Sequence, residues 1–349
     1  MKPVKIIQSR HVTHWMAAGL MSACWLHPAI AGETSDVALD PKESTARENW
    51  RALMAQNIAS PEGCFHASYP SLVWEAVECK VAHPLFHPVL RKPNQGATDV
   101  VGNGNDYVVS VSGLITKTLG TFPSVSDVTT EKSVGVPAFG DGGILGSNEY
   151  TLQANTNYTG TTKACAGHSG CTVWQQFIYS TDYNTKGEAA VFMQYWLIGW
   201  GKSACPSGFG SDGEEDCYGN SNYVAAPDLK ITSLGSLSLS GAVVAGGNDT
   251  VVFNSGTEAY SITGKDSVLD ISSVWTQTEF NVVGDAGGSR ADFNKGASIT
   301  VKVAVTDGST SAPKCVSGEG STGETNNLTL GSCTASSGST PYIEFTEKD

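Results

Sequence analysis

The chain reads as all-β: a jelly-roll (concanavalin-like) antiparallel β-sandwich with a short N-terminal helix and a disulfide-clipped appendage. Three observations lead there. From residue 107 onward, more than ten short segments alternate apolar and polar residues, the period of a half-buried strand. Turn signals separate them: Asn103-Gly104, Asp141-Gly142-Gly143, Gly246-Gly247-Asn248-Asp249 and Asp307-Gly308. No helical stretch lies between strands, so a parallel sheet with crossover helices is not expected.

Residues 1–31 read as a signal peptide. Lys2, Lys5 and Arg10 form a basic start, and the apolar run Trp15–Leu26 is too short to span a bilayer comfortably. Ala29-Ile30-Ala31 supplies the small-residue cleavage site. No other run has the length of a membrane span, so the mature chain is expected to be soluble and exported, extracellular or periplasmic. Of nine cysteines, Cys24 leaves with the signal. The other eight fall in neighbouring pairs, which predicts Cys64–Cys79, Cys165–Cys171, Cys205–Cys217 and Cys315–Cys333. None has the Cys-x-x-Cys spacing of a metal site, and no cofactor motif is present.

Net charge is −13, or −16 once the three basic residues of the signal are gone. Such a chain does not hold nucleic acid through its phosphates. The partners expected are a polypeptide or polysaccharide substrate, with no membrane after export and a monomeric state.

Residues 32–100 read as an N-terminal segment with one helix and an irregular strap. Glu43, Ala46, Trp50, Leu53 and Met54 fall at helical spacing between Pro41 and Ala55, with Thr45 and Glu48 as a capping box. Cys64–Pro93 is Pro-rich and irregular, a strap across a sheet, and its His66, His83 and His87 match no metal spacing. Residues 101–349 read as the sandwich. Its strands are expected in YVVSVSGLIT, EYTLQANTNY, TVWQQFIYS, AVFMQYWLIGW, LSLSGAVV, DTVVFN, AYSITG, SVLDIS, WTQTEFNVVG, ASITVKVAVTDG and PYIEFTE.

Several strands break the apolar rule. Ser273–Thr300 reads as two strands joined by a Gly-rich turn, and the first carries Glu279 amid apolar residues. Acids are depleted in strands, and a carboxylate there needs a partner or titrates abnormally. Alternate residues share a face, so Gln277, Glu279 and Asn281 point together, as do Gln153, Asn155 and Asn157, and Gln194 with Trp196. Gln175 and Gln176 point to opposite faces. If these sides coincide, one sheet presents amides, a carboxylate and rings, a surface suited to a polymer. Trp196, Asn281 and Gln153 are then candidate substrate-binding residues.

Against that background, the order of elements over about residues 145–305 resembles the eqolisins, the secreted glutamic peptidases. Their strand AEWIVE, a turn and ADFG look like Thr278–Val283 followed by Ala291-Asp292-Phe293-Asn294. Ala245–Val252, Gln194–Trp200 and Val173–Phe177 are similar to three further family segments. The resemblance implies a sandwich of two antiparallel sheets and an acid endopeptidase with a Glu and a Gln on one sheet. Glu279 then takes the general acid/base role. The oxyanion-stabilising amide falls on Gln176, with Gln194 as competitor. Val283-Gly284 stands where the family has a second acid.

The alternative is a carbohydrate-binding, lectin-like sandwich without catalysis, using Trp196, Trp200 and Trp275 as platforms. A retaining glycosidase needs two carboxyls about 5–5.5 Å apart, and no strand carries such a pair. There is no Gly-x-Ser-x-Gly elbow. The turns at Asp141 and Asp249 read as turn formers rather than Ca²⁺ loops. Asn157, Asn248 and Asn327 lie in Asn-x-Thr sequons.

Overall fold

The computed structural model describes residues 40–59, 61–85, 87–88, 106–136, 142–317 and 321–349. The signal peptide, the mature N-terminus to residue 39, the Asn103-Gly104 turn and Asp141 lie outside the described residues. From Pro41 to Asp349 the chain forms one compact unit.

Two large antiparallel sheets make up a β-sandwich, with strands numbered along the chain. The back sheet runs β2 (Glu75–Val77), β1 (Gly63–Ser68), β15 (Glu258–Lys265), β14 (Asn248–Ser255), β13 (Leu237–Ala242), β4 (Lys117–Ser126), β18 (Ser298–Thr306), β22 (Tyr342–Lys348) and β21 (Thr329–Ser336). The front sheet runs β10 (Gly210–Ser211), β11 (Cys217–Asn220), β9 (Glu188–Ile198), β8 (Thr172–Thr185), β7 (Thr151–Thr156), β16 (Gln277–Val283), β3 (Tyr107–Ser110) and β19 (Lys314–Ser317). A further strand, β12 (Val224–Pro227), also pairs with β9. A small third sheet joins β20 (Thr325–Asn326), β17 (Ser289–Phe293), β5 (Glu131–Gly135) and β6 (Gly146–Ser147).

Alternation along the strands decides what each sheet buries. Phe280 and Val282 of β16, Phe177 and Tyr179 of β8, and Leu152 and Ala154 of β7 enter the core between the sheets. They meet Leu239, Phe253, Val301 and Val303 of the back sheet. Two back-sheet glycines allow the closest approach. A Cβ on Gly120 would lie 2.1 Å from the Phe280 ring, and one on Gly241 would lie 2.3 Å from Phe177. Phe280 thus sits directly beneath the strand that carries Glu279. Gln175 also enters the core, donating to Asp249 of β14 at 2.9 Å, so Gln175 and Gln176 do face opposite ways.

All four disulfides form as the neighbour pairing predicts. Cys315–Cys333 joins β19 to β21, stapling the edges of the two large sheets. Four such bonds belong to an oxidising compartment. Among the described residues no helix is long and apolar enough to cross a membrane.

Some expectations need correction. The stretch around Glu279 does form two strands joined by a Gly-rich turn, but they do not pair with each other: β16 pairs with β7 and β3, whereas β17 leaves for the third sheet. Three successive residues with positive φ, Ala286, Gly287 and Gly288, turn the chain away between them. SVLDIS forms two 3₁₀ turns, because the buried Asp266 carboxylate accepts from Ser272 N and Oγ. YVVSVSGLIT stops being strand after Ser110 and crosses to the back sheet to become β4. The helix (α1, Pro41–Met54) starts four residues before the expected cap, with Pro41 at its first position and Thr45 bonded back to Pro41 O. The appendage is only partly irregular: β1 and β2 extend the back sheet beside β15, so the sandwich begins at residue 63.

Two predictions follow from this packing. Gly120→Ala should destabilise the fold by about 1–3 kcal/mol through overpacking against Phe280. Phe280→Leu in the same chain should recover part of that loss in a urea-unfolding double-mutant cycle, and additive losses would contradict the contact. The second concerns pH. Burial, reinforced by Asp285, pushes the Glu131 carboxyl up to about 9, and burial takes Asp249 and Glu347 to about 8. Groups raised in the folded state bind protons that the unfolded chain releases above pH ~4. Their stabilisation is therefore complete in acid and is lost as pH rises toward 8–9. The Tm is expected to fall by about 10 °C or more between pH 4 and pH 8, and a constant or rising Tm would refute this.

Candidate functional site

Strand register brings the unusual polar residues into one line across the outer face of the front sheet. Asn220 of β11 pairs with Gln194 of β9, Gln194 with Gln176 of β8, Gln176 with Asn155 of β7, and Asn155 with Glu279 of β16. Because partners in antiparallel strands point to the same side, all five side chains share that face. On one flank runs an aromatic line, Tyr218, Trp196 and Trp174. On the other run Phe192, Ile178, Gln153 and Asn281.

The line is joined by hydrogen bonds. Asn155 Nδ2 donates to Glu279 Oε1 at 2.8 Å and to Gln153 Oε1 at 3.3 Å. Gln176 Nε2 donates to the same Gln153 oxygen at 3.1 Å. Trp196 Nε1 donates to Gln176 Oε1 at 3.1 Å and to Gln194 Oε1 at 3.0 Å, which ties the two candidate glutamines to one ring. Gln176 is the nearer in register to Glu279, and Gln194 lies one strand beyond it.

Two coverings close this face. The first is the strap: His87 N donates to Gln194 Oε1 at 2.7 Å, and its Nδ1 lies 3.1 Å from Gln153 Nε2. The second is the run from Ser321 to Asn326. Ser321 donates to Glu279 through Oγ at 2.6 Å and through its backbone N at 3.1 Å. Ser321 Oγ in turn accepts from Trp174 Nε1 at 3.0 Å. Glu324 enters the same face, where its carboxylate accepts from Gln153 Nε2 and Thr322 Oγ1. Beneath these covers Gln176 and Gln194 are fully buried, and Glu279 is 3% exposed.

Burial sets the electrostatics. It raises the Glu279 carboxyl to about 7 against the opposing hydrogen bonds from Ser321 and Asn155. Burial also raises Glu324 to about 7, opposed by Thr322 and Gln153. It lowers His87 to about 3, so that ring is neutral from mild acid upward. A niche of about 10 Å³ is lined by Glu279, Ser321, Tyr158, Asn157 and Gln277 among others. That volume matches one water molecule.

The structure separates the remaining candidates. Trp196 is buried in the aromatic line, and Trp275 is buried in the core against Phe177. Trp200 stacks on His168 at 3.3 Å between ring centroids. The amide of Gln153 serves His87, Glu324 and Thr151. Asn281 donates to Glu347 Oε1 at 2.7 Å, a buried carboxylate of the back sheet that also accepts from Asn326. Asn157 and Asn327 hold backbone groups with both ends of their amides, which withholds them from glycosylation in the folded chain. Among the described residues no group of three or more His, Cys, Asp or Glu is arranged to hold a metal.

Sequence reasoning passed over Ser321, Thr322 and Glu324, because a Gly/Ser/Thr-rich run reads as a plain loop. It gave Asn155 a face but no role, although alternation with Gln153 could have marked it.

Two solved structures resemble this chain remotely. Scytalido-glutamic peptidase with a transition state analog inhibitor is 11% identical, with a TM-score of 0.29, covering 70% of this chain and 98% of that one. SCP-B, a member of the eqolisin family of peptidases in a complex with the tripeptide Ala-Ile-His, is 12% identical, with a TM-score of 0.27 and the same coverage. No family model and no curated protein matches the chain.

The hydrogen bonds to Glu279 make a direct prediction. Asn155→Leu and Ser321→Ala each remove a donor that favours the ionised form, so each should raise the Glu279 carboxyl above about 7, by about one unit. Infrared titration of the carboxyl band, with Glu279→Gln as the blank, reads this. An unchanged or lowered value would contradict the network.

Proposed function

We propose that this chain is an exported acid endopeptidase of the glutamic type, with Glu279 as general acid/base and Gln176 as the oxyanion-stabilising amide. The observation that carries the reading is the transverse line: the Glu279 carboxyl stands at the end of a row of four amides, Asn220, Gln194, Gln176 and Asn155, and lines a water-sized niche. Such a pair suits amide hydrolysis. With the face open to solvent, Glu279 returns toward the ordinary carboxylate range and is ionised in mild acid. It takes a proton from a water molecule as the water oxygen attacks the peptide carbonyl carbon. The carbonyl oxygen gains the negative charge, and the Gln176 amide donates to it. Protonated Glu279 then gives its proton to the leaving nitrogen as the C–N bond breaks. Asn155 acts by holding Glu279 in place, and Gln194 stands one strand too far to share the oxyanion.

The lectin-like alternative drew on Trp196, Trp200 and Trp275; Trp196 and Trp275 are buried, and Trp200 is partly buried and stacked on His168. Export is supported by the four disulfides and by the sequence signals at the N-terminus.

The test is hydrolysis of denatured casein at about pH 3–4. The wild-type chain should cleave, Glu279→Gln and Glu279→Ala should not, and Gln176→Ala should lose about 10²-fold in kcat. Equal cleavage by Glu279→Ala, or none by the wild type, would overturn the assignment.

A further inference from the structure

We infer that the outer face of the front sheet is a groove that binds an extended peptide by its backbone carbonyls, and that the strap of this chain occupies it. The inference rests on the peptidase reading for the groove's purpose; the occupancy itself stands on the contacts.

The contacts follow the strap in order. Asn184 Nδ2 donates to Val81 O at 3.1 Å. His83 O accepts from Tyr183 OH and from Asn220 Nδ2, both at 2.8 Å. Tyr218 OH donates to Pro84 O at 2.8 Å. Leu85 O accepts from Asn220 Nδ2 at 3.0 Å and from Gln194 Nε2 at 3.1 Å. Beyond them His87 N donates to Gln194 Oε1, and Gly323 N donates to Pro88 O at 2.7 Å.

Three features distinguish this from ordinary loop packing. Five sheet side chains, from β8, β9 and β11, aim their hydrogen bonds at main-chain groups of the strap, a pattern that reads a peptide backbone and ignores its sequence. Among the described strap residues Lys80 makes a backbone bridge, to Tyr223, and its ammonium also pairs with Glu188 of β9. Second, the strap's side chains sort as a bound ligand's do. Ala82 and Leu85 pack into an apolar patch of Ile178, Tyr183, Phe192 and Tyr223 on the same face, while Val81 is 78% exposed. Third, the path leads to the candidate carboxyl. His87 Nδ1 lies against Gln153, whose Oε1 accepts from Asn155, the partner of Glu279. The fit is incomplete at that end: His87 Nε2 is buried without a hydrogen-bond partner among the described residues, a cost that favours release. A trans peptide meets a site filled from within, where the tethered segment has the advantage of effective concentration.

The groove therefore takes extended peptides with small or aliphatic residues at the Ala82 and Leu85 positions, and tolerates proline where Pro84 sits. The test replaces residues 80–88 by a Gly-Ser linker of equal length in the full chain. A fluorescein-labelled peptide with the sequence of residues 80–88 should then bind saturably by anisotropy. The wild-type chain should bind at least about tenfold more weakly. Tyr218→Phe with Asn220→Ala in the linker chain should weaken binding by a further tenfold or more. A linker chain with intact near-ultraviolet circular dichroism and no binding overturns the inference. If that chain does not fold, Tyr218→Phe/Asn220→Ala in the otherwise native chain decides. Thermolysin should nick it within residues 80–88 about tenfold faster than wild type, and an equal rate overturns the inference. Casein hydrolysis separates the two proposals. Peptide binding without hydrolysis leaves the groove standing and removes the peptidase reading. Hydrolysis without peptide binding does the reverse.

Discussion

Burying the Glu279 carboxyl in the middle of a sheet, among amides and hydroxyls rather than cations, is the constraint that organises this molecule. A lone carboxylate there would be prohibitively costly. The structure meets the demand with Asn155 from the neighbouring strand and with Ser321 from a covering loop. Neither can serve without support of its own. Asn155 is held within the Gln153–Gln176 network, and Ser321 is held by the Trp174 indole. Beneath, Phe280 and Gly120 set the height of β16 against the back sheet. Core packing, sheet register and surface loops thus converge on one side chain.

How far this was legible from residues follows from the range of each interaction. Alternation is local, so the strands, the opposed faces of Gln175 and Gln176, and the grouping of Glu279 with Asn281 could be read directly. Neighbouring cysteines paired as their spacing indicates. The line from Asn220 to Glu279 could not be read, because register across five strands depends on loop lengths and twist rather than on any one segment. Asn281 shows the limit of alternation: it shares a strand side with Glu279, yet its amide serves Glu347 of the other sheet. The contribution of Ser321 and Glu324 was invisible for another reason. Their segment has the composition of a loop, and only the fold brings it over the face.

The same coverings that satisfy Glu279 also shut it in. On the proposed peptidase reading the site must admit a polypeptide and cannot keep Gln176 and Gln194 fully buried, so that proposal requires the strap and the Ser321–Asn326 run to open while the sheet beneath persists. The architecture permits that separation. The strap is held mostly by side-chain amides and phenols and carries few apolar contacts, whereas β8 and β9 lie at the centre of the core. Elements with few buried apolar contacts open at lower free energy than the core.

Hydrogen–deuterium exchange of the full chain at about pH 4 measures that separation most directly. The account predicts that the His87 and Gly323 amides exchange through local opening, about a hundredfold or more faster than the amides of β8 and β9 beneath them. Exchange of the coverings only together with those strands, in one global event, would contradict it.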